Sequence, residues 1–137
     1  MSNEPKSLWP PDIFPVSSSS ESSSERTPID VLVEQGKVLS KFQNKILANV
    51  VNTQSDHEGF ITVAFYLMNI ETEYNYRLLS FEQKIDTIYP FSISAFSNPA
   101  ASLYENITDI VMFENTLIKI LQDKRTKTVV QNLLYLT

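Results

Sequence analysis

Residues 46–70 read ILANVVNTQSDHEGFITVAFYLMNI, two largely apolar runs on either side of a polar pentapeptide. In the second run Ile61, Val63, Phe65 and Leu67 recur at every second position. Successive side chains of an extended backbone point to opposite faces, so these four share one face. The first run, rich in β-branched residues, suits the same pleated geometry. Between them Ser55, Asp56, His57, Glu58 and Gly59 are turn formers, and Gly59 supplies the conformational freedom that a reversal needs. The segment therefore predicts a β-hairpin.

The same period continues outward. "ETE" (71–73) leads into "YNYRLLSF" (74–81), and "EQKID" (82–86) leads into "TIYPFSISAF" (87–96). In the last of these, Phe91, Ile93 and Ala95 alternate with Ser92 and Ser94, the pattern of a half-buried strand. Pro90 has no amide hydrogen for a sheet ladder, so this strand is expected at an edge, or bulged there. Links this short join antiparallel neighbours, and four strands so joined form a meander. "ITDIVMF" (107–113) is rich in β-branched residues and reads either as a fifth strand or as the start of a helix.

Helical patterns flank the strands. "TPID" (27–30) opens one: Thr27 is a good N-cap, Pro28 suits the first helical position, and Asp30 suits the positive helix end. Ile29, Leu32, Val33, Leu39 and Phe42 follow at helical spacings, and the helix is expected to run to about Asn44. Gly36 falls on that stripe at a cost of about 1 kcal/mol relative to Ala, which points to close approach of the helix to a sheet. "ENTLIKILQD" (114–123) and "KRTKTVVQNLLYL" (124–136) read as two further helices. The expected fold is α+β: an N-terminal helix, a four- or five-stranded antiparallel meander, and two C-terminal helices packed on one sheet face. Leu32, Leu39, Phe42, Ile61, Val63, Phe65, Ile93, Leu117, Leu121 and Leu133 are its expected core.

Composition changes abruptly before Thr27. Seven of the eight residues 17–24 are Ser, and such a run buries nothing to offset its ordering entropy. Residues 1–26 therefore read as a Pro/Ser-rich tail, with 17–25 its flexible part, and residues 27–137 as a single domain. The tail nevertheless holds the one tryptophan of the chain. Trp9 and Phe14 stand among Pro10, Pro11 and Pro15, and prolines stiffen an extended segment so that little entropy is lost on docking. Docking on this protein's own body or on a partner is expected, with Trp9 at least half buried in the first case.

The bulk chemistry excludes more than it assigns. With 137 residues, 16 acids against 11 bases and a net charge of −5, the chain is mildly acidic and poorly suited to a phosphate backbone. It has no cysteine, hence neither disulfides nor thiolate metal sites. The first fifteen residues hold one Lys and no unbroken apolar run, so no signal peptide is expected, and no stretch is long enough for a membrane span. A cytoplasmic protein is expected, and the Asn106-Ile107-Thr108 sequon is read as chance. Two glycines, Gly36 and Gly59, cannot compose a phosphate-binding loop.

No residue pattern supports a cofactor or a metal. Asp56, His57 and Glu58 are adjacent in a turn, where side chains do not converge on one ion. Glu71 and Glu73 sit in a strand connection without acid/base spacing. Lys124, Arg125 and Lys127, with Lys119 a turn before, fit the dipoles of a helix junction. Tyr74 and Tyr76 share one strand face with Leu78, while Arg77 is expected on the other with Leu79 and Phe81. These residues favour a protein-binding surface.

The expected function is a non-enzymatic protein-interaction module, an adaptor, inhibitor or chaperone-like subunit, with Trp9, Phe14, Tyr74, Tyr76 and Arg77 as candidate partner-binding residues. A small hydrolase using carboxylates or His57 is the alternative, and single-stranded nucleic-acid binding on the Tyr74/Tyr76 face a further one. The expected partner is another protein, not nucleic acid or membrane. The oligomeric state is left open.

Overall fold

The structure, a computed structural model, describes residues 7–9, 26–96 and 102–136. Helix α1 spans Pro28–Phe42. Its start follows from side-chain chemistry: the Thr27 hydroxyl accepts from the Asp30 amide at 3.2 Å, and the Thr27 amide donates to the Asp30 carboxylate at 3.1 Å. This reciprocal cap satisfies amides that the first turn leaves without partners. The helix ends two residues before the expected Asn44, where Gln43 caps it. Its buried face carries Val31, Leu32, Gln35, Gly36, Val38 and Leu39. Val33, expected on the stripe, is exposed. At 3.6 residues per turn it lies about 120° around the helix from Leu39.

Gly36 is where α1 meets the sheet. A Cβ at this position would stand 3.1 Å from the Ala48 Cβ and 3.7 Å from the Phe65 ring. A β-branched side chain has no space there, so Gly36→Val is expected to destabilise the protein by about 1–3 kcal/mol despite its gain in helix propensity over Gly. Urea unfolding checks this, and an unchanged midpoint would mean that the helix does not lie so close.

Strands β1 (Ile46–Gln54), β2 (Phe60–Asn69), β3 (Asn75–Lys84), β4 (Phe91–Ala95) and β5 (Ser102–Ile107) form one antiparallel sheet in the order β1-β2-β3-β4-β5. The hairpin over 46–70 is in place, with Val50 opposite Phe65 and Gln54 opposite Ile61. Between β2 and β3 the register slips: Phe65 faces Leu79 but Tyr66 faces Arg77, so Leu78 is an extra residue. The slip moves Leu79 and Phe81 off Arg77's face. They lie instead on the face of Tyr76, which corrects the strict alternation expected for 74–81.

β4 is not an edge strand, because β5 pairs with its far side. The bulge expected there is present, but the extra residue belongs to β5: two steps on β4, Phe91 to Ile93, face three on β5, Tyr104 to Ile107. Asn106 in that segment takes a φ of 60°. The ambiguous 107–113 segment divides. Ile107 ends β5, and α2 (Ile110–Leu121) begins after Asp109, whose carboxylate accepts from the Met112 amide at 2.8 Å. Helix α3 (Lys124–Leu134) follows after Asp123, which caps it in the same way.

The core lies between the three helices and one face of the sheet. Leu32, Leu39, Val63, Phe65, Ile93, Leu117, Leu121 and Leu133 are buried there, whereas Phe42 and Ile61 are half-buried. Phe81 stacks on Phe91 at 4.5 Å and meets Phe113 of α2 edge-on at 5.7 Å. Asn69 ties β2 to α3: its amide donates to the Leu133 carbonyl at 2.7 Å, while its side-chain oxygen accepts from the Glu71 and Thr72 amides. On the opposite sheet face Val51, Ala64, Ser80, Ser94 and Leu103 stand in register across all five strands. Val51 and Leu103 are exposed there.

Candidate functional site

Leu8 and Trp9 are buried in the hydrophobic core cluster, at 6% and 3% exposure. They are held by polar groups as well as by apolar burial. The Leu8 amide donates to the side-chain oxygen of Gln35 at 2.8 Å, and the side-chain amide of Gln122 donates to the Leu8 carbonyl at 3.4 Å. The Trp9 indole N–H donates to the main-chain carbonyl of Gln35 at 3.0 Å, while Ser7 accepts from the Trp9 amide at 3.2 Å. Gln35 lies on the buried face of α1 and Gln122 caps the end of α2, so two helices converge on the backbone of one residue. Phe14, with the prolines around it, lies outside the described residues, as do 17–25.

Gln35 has a signal in the sequence that the apolar pattern passes over. It occupies a stripe position between Leu32 and Leu39, where a polar side chain is tolerated only with hydrogen-bond partners. At 2% exposure its side-chain oxygen accepts from the Leu8 amide. Gln122 stands in an unremarkable helix end, and nothing in the pattern singles it out.

Arg26, the last residue of the expected tail, is also part of the folded body. Its guanidinium pairs with Glu34 of α1 and Glu114 of α2. The chain therefore enters α1 through a clamp between the same two helices that hold Leu8.

Tyr74 and Tyr76 line a cleft of about 330 Å³ against Val129, Asn132, Leu133 and Leu136 at the end of α3. Tyr76 is half-buried and Tyr74 exposed. Arg77 faces away from them, on the sheet face of its register partner Tyr66, and is exposed. The structure thus separates Arg77 from the tyrosines and sets Trp9 on a different pair of helices. Arg125 of the basic cluster is committed locally: it stacks over the Phe96 ring at 4.1 Å and bonds Asp123 at 3.0 Å and Ser102 at 3.0 Å. Asp123 titrates below the usual carboxylate range, chiefly through the Arg125 hydrogen bond.

His57 has an acceptor beyond its own turn. Its Nδ1 lies 3.3 Å from a Glu82 carboxylate oxygen on β3, and the Ser55 hydroxyl bonds the other oxygen of the same carboxylate. Ser, His and a carboxylate are therefore adjacent, but in the wrong order for nucleophilic catalysis. The serine proton is directed at Glu82, whereas an activated serine is hydrogen-bonded to the imidazole that removes its proton. The ring is 71% exposed. Among the described residues no three His, Cys, Asp or Glu side chains are placed to hold a metal ion. Glu71 and Glu73 are exposed in the β2–β3 turn.

The Ser55 hydroxyl, opposed by slight desolvation and aided by His57, holds the Glu82 carboxyl below its ordinary value of 4.5. A lowered folded-state value means that this contribution to stability is complete above the ordinary pKa and fades as pH falls through the lowered one. An NMR titration is expected to give Glu82 a midpoint below 4.5, and Ser55→Ala is expected to raise it. An unchanged midpoint in the variant would remove Ser55 as the cause.

Among the described residues no helix is long and apolar enough to cross a membrane. Comparison of the chain with family models, with curated proteins and with solved structures gives no match.

Proposed function

We propose that this protein is a non-enzymatic protein-interaction module, an adaptor, inhibitor or chaperone-like subunit of the cytoplasm, whose N-terminal segment docks on its own body. The observation that carries this reading is the hold on Leu8: its N–H and C=O are both engaged by glutamine side chains from two helices. A body that grips a peptide backbone in this way has the elements of a peptide-binding surface. The mild negative charge and the Tyr74/Tyr76 cleft accord with a protein partner. The hydrolase alternative rests on Ser55, His57 and Glu82, whose hydrogen bonds direct the serine proton at the carboxylate and not at the imidazole.

Quantitative affinity capture from native cells, with the full chain and with a folded variant lacking residues 1–26, tests the reading. One specific partner, retained at stoichiometric levels by at least one of the two, is expected. Failure of both to retain a partner would reject it, as would a measured turnover that His57→Ala abolishes without unfolding the chain.

A further inference from the structure

We infer that the cradle formed by Gln35 and Gln122 is a binding site for a short segment of a partner protein, an apolar residue followed by Trp, and that Leu8–Trp9 is its autoinhibitory occupant. This rests on the interaction-module reading and names the ligand class and regulation of that module.

Two of the polar contacts named above go to groups that every peptide carries, one N–H and one C=O of a single residue. A third, from the indole N–H to the Gln35 carbonyl, is specific to Trp. The two buried side chains supply the apolar part of the recognition. Backbone contacts give general affinity and side-chain burial gives selectivity, the division of labour in peptide recognition. Gln35 sits in α1 and Gln122 caps α2, so the site is built on two helices of the body.

Covalent linkage to the body sets the concentration that a competing segment must exceed. Sixteen residues, 10–25, join Trp9 to Arg26. A chain of that length reaches at most about 55 Å. Arg26 is anchored at Glu114, and Gln122 is eight residues further along α2, only about 12 Å away by helical rise. A tether several times longer than its span holds its end at an effective concentration of roughly millimolar order. A partner segment of micromolar affinity, presented at sufficient concentration or with additional contacts, displaces it.

The test inserts a protease recognition sequence within 17–24 of the full chain, cleaves the folded protein, and follows a fluorescein-labelled peptide of residues 4–16 by anisotropy. The cleaved protein is expected to bind the peptide in the micromolar range and the intact protein about 100-fold more weakly or worse. A peptide with Trp9→Ala is expected to show no binding, and Gln35→Leu in the cleaved protein to weaken binding more than tenfold. Full-length Trp9→Ala, whose segment holds the cradle less tightly, is expected to bind the wild-type peptide better than the intact wild-type protein does. Equal binding to intact and cleaved protein overturns the inference, as does a fragment that resists exchange. Unfolding of both the cleaved protein and Trp9→Ala would make the segment an obligatory part of the core, which also overturns it. A captured partner that Gln35→Leu leaves undiminished would sink this inference and leave the interaction-module reading standing. Peptide exchange without any captured partner would reject the interaction-module reading and with it the partner ligand, leaving Leu8–Trp9 as an exchangeable segment only.

Discussion

Phe65→Ala is expected to lower the unfolding free energy by about 3–5 kcal/mol, the range for removal of a fully buried aromatic side chain. Phe65 has no exposed surface and stands on β2 between Val50 of β1 and Leu79 of β3. Gly36 brings α1 down onto its ring. The cavity left by Ala is thus walled by sheet on two sides and by helix backbone above, with little freedom to collapse. Ile61, four residues earlier on the same face, is only half-buried, and Ile61→Ala is expected to cost less. Urea unfolding compares the two. A loss below 1 kcal/mol for Phe65→Ala would put that side chain on the wrong face and with it the register of the whole hairpin.

Trp9→Ala is expected to cost about 1.5–3 kcal/mol, less than Phe65→Ala although Trp is larger. The reason is position in the chain. A segment near a terminus can leave the body without unfolding the rest, so its truncation cannot cost more than the free energy of docking. That free energy combines burial of Leu8 and Trp9 with three hydrogen bonds to Gln35 and Gln122, less the entropy of ordering the segment. Circular dichroism in urea measures the loss without the fluorophore. A change under about 0.5 kcal/mol would mean an undocked segment in solution.

How far the sequence discloses this molecule depends on the range of the interactions. Alternation of Ile61, Val63, Phe65 and Leu67 is local and places the hairpin directly. The Thr27 cap and Pro28 in the first helical position are local too, and α1 begins where they indicate. The β3 register was not legible from alternation. The extra Leu78 is buried like its neighbour Leu79, and two adjacent apolar residues do not reveal which one the sheet skips. A fifth strand is among the expectations, but its position over Ser102–Ile107 is not legible for a similar reason. In SLYENI the exposed Leu103 and the left-handed Asn106 break the pattern, and pairing with β4 supplies what the period does not. Within the candidate site, Trp9 drew attention as a lone aromatic in a proline-rich segment. Its receptor did not, because Gln35 and Gln122 act through contacts 27 and 114 residues distant in sequence.

The docked Leu8–Trp9 segment is the centre of the functional account, and Trp9 reports on it alone because the chain has a single tryptophan. The direct measurement is its steady-state emission with iodide quenching, in the intact protein under native conditions. A blue-shifted spectrum, shielded from iodide and reverting on unfolding, is the result expected of an indole at 3% exposure. An emission maximum like that of free tryptophan, fully quenched by iodide, would contradict it.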